Sequence, residues 1–126
     1  MLLIGLTTFQ YGCAQADSPD PGLLTQEELL AAMQGGEVPL ILDVRSAQEF
    51  SDGHVPGAVN IEYTQLAERL DEIASRKERP VVVYCETGVR AGIAEKILKR
   101  GGFRQVRHLE GDMRAWRERG RPVQGF

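Results

Sequence analysis

Apolar residues fall in short unbroken runs and in longer periodic stretches that alternate along the chain. Leu40-Ile41-Leu42-Asp43-Val44 and Val81-Val82-Val83-Tyr84 are nearly continuous apolar runs, the pattern of strands covered on both faces. Val106 to Leu109 predicts another strand, and Val59 to Ile61 a further short one. Between these runs the spacing is helical. Thr25 and Glu28 form a capping box ahead of Leu29, Leu30 and Met33, opening a helix that Gly35-Gly36 stops. Ser46 and Glu49 make a second box, heading a single helical turn that carries Phe50. Leu66, Leu70 and Ile73 recur at helical spacing from Thr64 to Arg79-Pro80. Ala91 to Lys99 predicts a helix closed by Gly101-Gly102, and Gly111, Asp112 and Trp116 lead a final one that ends by Pro122. Strands alternating with helices predict an α/β fold, with a small, mostly parallel central sheet of about five strands and helices on both faces.

The 126 residues allow one domain, expected over 23–124 after a linker at 17–22 that carries two prolines. Neither an internal repeat nor a low-complexity tract interrupts it. Fifteen basic residues are scattered among eighteen acidic ones for a formal charge of −3. Without a basic stripe interleaved with aromatics, nucleic acid is not an expected partner. Two cysteines and two histidines make no zinc pattern, so neither a metal nor another cofactor is expected.

Residues 1–16 have the marks of a targeting segment. They are mostly apolar to Phe9, and Ala14-Gln15-Ala16 resembles a signal-peptidase site before Asp17. The stretch is too short for a stable membrane span, which takes roughly 20 apolar residues. It lacks Lys and Arg and is broken by Gly5, Thr7 and Thr8. Export to the periplasm is the expectation, with a plain N-terminal extension and a cytoplasmic protein as the alternative. Cys13 falls inside this segment, and a resolving-thiol role for it would require that the segment is kept.

The chemistry concentrates at Cys85, where the strand 81–84 hands over to a helix through Glu86-Thr87-Gly88-Val89-Arg90. The carboxyl ends of strands in open α/β sheets are where ligands bind. Gly88 allows a tight backbone path, and the following helix offers unpaired N–H groups that stabilise an anion. Such a loop would favour the thiolate and present a nucleophile without a general base. Arg90 adds a permanent charge and a fork of donors suited to an oxyanion. A cysteine after a strand is by itself most often a buried core residue. Here Gly88 and Arg90 at their offsets add what a core position does not need.

These residues resemble the rhodanese family. Cys85-x-x-Gly88-x-Arg90 after a short apolar strand, Asp43-Val44-Arg45 ending an earlier one, Glu49, and Gly53-His54-Val55-Pro56-Gly57-Ala58-x-Asn60-Ile61 look like its signatures. Leu109-Glu110-Gly111 before Trp116 is similar to its C-terminal segment, so the resemblance runs from about Leu24 to Pro122. It implies a rhodanese-like fold and a thiosulfate sulfurtransferase working by ping-pong transfer. Sulfane sulfur from thiosulfate or another persulfide donor, a protein persulfide included, would pass through a Cys85 persulfide to cyanide or a thiol. Glu86, Thr87, Gly88 and Val89 would form the substrate-binding loop.

Two positions depart from the family pattern. Glu86 stands where thiosulfate-using members often have a basic or neutral residue, and its carboxylate is expected to repel an anionic donor. Asp112 replaces a common second glycine, with only a local turn change expected. Asp43, Arg45, Glu49 and His54 are expected to be structural: Arg45 pairing with Glu49, Asp43 tying down loop amides, and His54 anchoring its Gly-Pro-Gly turn. Trp116 and Met113 are expected in the core or a pocket wall, and the arginines from Arg114 to Arg121 on a solvated face. Two rivals remain. Cysteine phosphatases and arsenate reductases look like Cys-x5-Arg, one residue longer than the loop here. A non-catalytic rhodanese-like binding module is the rival from another class.

Overall fold

A computed structural model describes residues 20–125. The expected export segment 1–16, Cys13 and the start of the linker lie outside the described residues. In chain order the elements are β1 (Leu23–Leu24), α1 (Gln26–Gly35), β2 (Leu40–Asp43), α2 (Ala47–Asp52), β3 (Val59–Asn60), β4 (Val81–Tyr84), α3 (Val89–Arg100), β5 (Val106–Leu109) and α4 (Asp112–Glu118). The five strands form one sheet in the order β1-β5-β4-β2-β3, and every pairing is parallel.

Alternation along the two central strands builds a core on each face, because successive side chains point to opposite sides of a sheet. Leu40, Leu42, Val81 and Val83 meet Ala91, Ala94 and Leu98 of α3 together with Leu66 and Ile73. Ile41, Val82 and Tyr84 meet Leu29 of α1 and Met113 and Trp116 of α4. Burial on both faces explains why these strands carry unbroken apolar runs rather than alternating ones. Leu40 pairs with Val81 and Asp43 with Tyr84, so β2 and β4 end level. That register puts Val44-Arg45 and Cys85-Glu86 side by side at one edge of the sheet.

Both capping boxes form. Thr25 Oγ1 accepts the Glu28 N–H and Ser46 Oγ the Glu49 N–H, at 3.1 and 3.2 Å. The stretch from Thr64 to Arg79 is not an α-helix. It makes two 3-10 segments, Leu66–Glu68 and Leu70–Arg76, joined at Arg69 with φ −115° and ψ 14°. Spacings of three and four residues bring an apolar side chain to one face whether the turn is α or 3-10. Leu66 and Ile73 are accordingly buried while the backbone takes the tighter turn. Strand β1 goes beyond the sequence expectation, since Leu23-Leu24 lies where the pattern already passes into the cap of α1. Main-chain pairing creates it: His108 N–H donates to Gly22 O and Glu110 N–H to Leu24 O, at 2.7 and 2.9 Å. Among the described residues no helix is long and apolar enough to cross a membrane.

Candidate active site at the end of the central strand

Cys85 follows directly on β4, and its side chain belongs to the α3-side core. Only 1% of the residue is exposed. Its Sγ accepts the N–H of Gly88 at 3.0 Å. Gly88 is the N-cap of α3, with φ +115°, a left-handed conformation that favours glycine. A Cβ there would also lie 3.2 Å from Asp112 Oδ2 and 3.3 Å from His108 Cε1. The sulfur is thus set against the amino end of a 12-residue helix, where the helix dipole and unpaired amides favour negative charge.

The head of α4 clamps the loop. Asp112 Oδ1 accepts the Cys85 N–H at 2.9 Å. Met113 N–H donates to Cys85 O and Arg114 N–H to Glu86 O, at 3.0 and 3.1 Å. Asp112 therefore does more than change a turn. It is 3% exposed, has a left-handed φ of +54°, and holds the cysteine's own peptide.

The charged cluster is wired differently from the sequence expectation. Glu49 pairs with Arg90, not with Arg45: Arg90 Nη1 and Nη2 donate to the two Glu49 oxygens at 2.6 and 2.9 Å. These bonds hold the Glu49 carboxyl at about 2; burial opposes them, and bonds from Ser46 reinforce them. Arg45 instead turns back on Asp43, two residues before it, with Nε and Nη2 on the two carboxylate oxygens at 3.0 and 2.7 Å. The fully buried Asp43 carboxylate at the strand end needs a cation at once, while Glu49, on α2, reaches towards α3. Asp43 Oδ1 also accepts the Arg45 N–H at 3.0 Å, the loop-amide role expected of it. Tyr84 OH donates to Asp43 Oδ2 and accepts the Val55 N–H, and Arg45 Nη2 reaches Gly53 O at 2.7 Å. Burial pushes the Tyr84 phenol far above its usual range, the Asp43 charge adding to the effect. Asn60 Nδ2 ties down the carbonyls of Asp43 and Arg45.

Glu86 is not an uncompensated charge at the mouth of the loop. It pairs with Arg45 at 3.4 Å and with Arg117. A cavity of about 340 Å³ opens beside it, lined by Arg45, Glu49, Asp52, Gly53, Glu86, Arg117 and Val123. Thr87 on the loop and Val89 at the start of α3 are exposed, Val89 at 75%.

The His54 side chain ties back to α2: Nδ1 bonds Phe50 O at 2.7 Å and the ring stacks on Phe50. Trp116 and Met113 are fully buried, with Trp116 Nε1 donating to Pro122 O. Arg121 leaves the solvated group, since it bonds Gln26 and Glu27. Sequence reasoning passed over His108, whose Nε2 lies 2.8 Å from Asp112 Oδ1 and whose Nδ1 lies 3.6 Å from Glu95 Oε1. The pair joins a strand end to a helix head, so no single period could have announced it. Among the described residues no group of three or more His, Cys, Asp or Glu is placed to hold a metal ion.

Comparison with known proteins accords with this arrangement. Residues 25–119 match the model of the rhodanese-like domain. The chain belongs to the rhodanese-like domain family. A relative from Bacillus subtilis, the uncharacterized protein YqhL, is 38% identical over 93 residues, covering 74% of this chain and 70% of that one. A sulfurtransferase from Allochromatium vinosum is 31% identical over 100 residues, covering 79% and 92%. The HTH-type transcriptional regulator Rv0324 of Mycobacterium tuberculosis is 41% identical over 84% of this chain, which spans only 46% of the regulator. Among solved structures, thiosulfate sulfurtransferase from Pseudomonas aeruginosa superposes with a TM-score of 0.76 at 25% identity, over 82% of this rhodanese-like chain and 20% of that one.

Proposed function

We propose that this rhodanese-like protein is a sulfurtransferase that carries sulfane sulfur on Cys85. The observation that carries the reading is the Gly88 N–H, 3.0 Å from Sγ at the head of α3. Fixed amides aimed at a sulfur stabilise negative charge there without reorganisation. The thiolate attacks the outer sulfur of a donor such as thiosulfate, the donor's S–S bond breaks, and sulfite leaves with the bonding electron pair. A thiol or cyanide acceptor then attacks the outer sulfur of the Cys85 persulfide, and the thiolate leaves. Charge on sulfur is present at each stage, so the same Gly88 amide serves both halves, and no proton need pass through a histidine.

Arg90 enters this scheme through Glu49. Its fork is spent on the carboxylate, which fixes α2 to the first turn of α3 and leaves a neutralised pair beside the loop. Glu86, paired with Arg45 and Arg117, admits an anionic donor more readily than an isolated carboxylate would. A protein persulfide remains an equal candidate as donor. A second reading, a rhodanese-like binding module, is favoured by the likeness to the regulator Rv0324.

Intact-mass analysis after incubation with thiosulfate separates the two. The reduced protein is expected to gain one sulfur, about 32 Da, that cyanide removes, and a Cys85→Ser variant none. If folded protein gains no sulfur from thiosulfate or from a protein persulfide, the binding-module reading replaces the sulfurtransferase.

A further inference from the structure

A buried carboxylate lies directly beneath the cysteine loop, and the reaction as described gives it no part. Asp112 Oδ1 takes the Cys85 N–H at 2.9 Å and faces His108 Nε2 at 2.8 Å. A Cβ at Gly88 would lie 3.2 Å from Asp112 Oδ2 and 3.3 Å from His108 Cε1, so both groups border the residue whose N–H points at Sγ. The carboxylate is well placed to hold the loop and badly placed for its charge, because an anion nearby disfavours a second one on sulfur.

We propose that His108 is a positioning residue for Cys85: its imidazolium cancels the charge of Asp112, so the carboxylate holds the Cys85 amide without opposing negative charge on sulfur. The groups facing the ring fit this role. Asp112 lies at the head of α4, Glu95 on α3 stands 3.6 Å from the other ring nitrogen, and the flanking strands place Leu23 and Val83 opposite His108 in the sheet. Both charged neighbours are acidic. Burial alone would lower the imidazole's affinity for its proton. The Asp112 hydrogen bond and the charges of Asp112 and Glu95 outweigh it, and the net shift is upward. Arg90 also feels the charge of Cys85 but is already matched by Glu49. The pair beneath the loop is therefore the adjustable part of its charge balance.

The proposal rests on Cys85 being the reacting sulfur, yet its test reads ionisation rather than transfer, so either idea can fail without the other. A Cys13→Ser background leaves one thiol, and ultraviolet absorbance of the thiolate follows it against pH. His108→Gln keeps a donor for Asp112 but removes the charge. The thiolate fraction near neutral pH is expected to fall about tenfold, equivalent to one pKa unit. Adding Asp112→Asn keeps an acceptor for the Cys85 N–H and removes the carboxylate, and is expected to return the fraction to near its parent value. A purely structural pair would leave the double variant at least as disturbed as the single one. That result, or no change in His108→Gln, overturns the proposal. A second readout keeps both loop-side partners in place: Cys85→Ser is expected to lower the NMR titration midpoint of His108, because coupling between two sites is reciprocal. An unmoved midpoint also overturns it.

Discussion

The Arg90–Glu49 pair shows how one residue can serve two elements. Glu49 Oε1 accepts the Ser46 N–H as the returning half of a capping box and also receives Arg90 Nη1. The carboxyl is lowered from 4.5 to about 2, chiefly by Arg90. A depressed carboxyl stabilises the fold above its unfolded value, and that stabilisation is lost as the pH falls through the folded one. The contribution of Glu49 is therefore complete above about 4.5 and disappears towards about 2. In an Arg90→Ala variant the midpoint of Glu49 is expected to rise towards the ordinary carboxylate range. Carbon-detected NMR of the side-chain carboxyl would measure it, and an unchanged midpoint would remove Arg90 as the cause. The residue types of this site were legible in the sequence and their pairing was not. Arg45 had acidic candidates at positions 43 and 49, and the choice followed from burial of Asp43 at the strand end.

At the scale of elements, α4 is as much a part of the site as the loop. Its head supplies Asp112 and two backbone donors to Cys85 and Glu86. Gly111, its N-cap, has φ +76°, and a Cβ there would come 2.4 Å from that of Ala115. Gly111→Ala is expected to cost about 1–3 kcal/mol, from the left-handed backbone and the clash together. Urea unfolding would measure the loss, and sulfur transfer should fall with it as the clamp shifts. Stability within a few tenths of a kcal/mol of the parent would contradict this account. Elements announced by caps, such as α1 and α2, were visible in the sequence because a cap is a contact between neighbours in the chain. The 3-10 segments near Leu66 and Ile73 were not, because their apolar spacing suits either helix and the break at Arg69 is a backbone choice.

For the whole molecule, the two cores share one sheet of central strands only four residues long. Neither layer has another surface on which to bury its apolar face, so both are expected to be lost together. Trp116, fully buried on the α4 side, reports one core by fluorescence, and far-ultraviolet circular dichroism reports all the helices. Their urea transitions should coincide; two separate midpoints would show that the layers unfold independently. By itself the sequence determined the α/β alternation, the covered central strands, both capping boxes and the place of Cys85 after β4, since each is written in neighbouring residues and in periods of hydrophobicity. Only the tertiary structure decided strand β1, the partners of Arg45, Glu49 and Glu86, and the placement of Asp112 and His108 against the Cys85 loop. Some of those contacts join residues far apart in the chain, as Glu49 and Arg90 are, and others near neighbours, as Asp43 and Arg45 are; which charges meet was settled by where parallel strands end level and bury them.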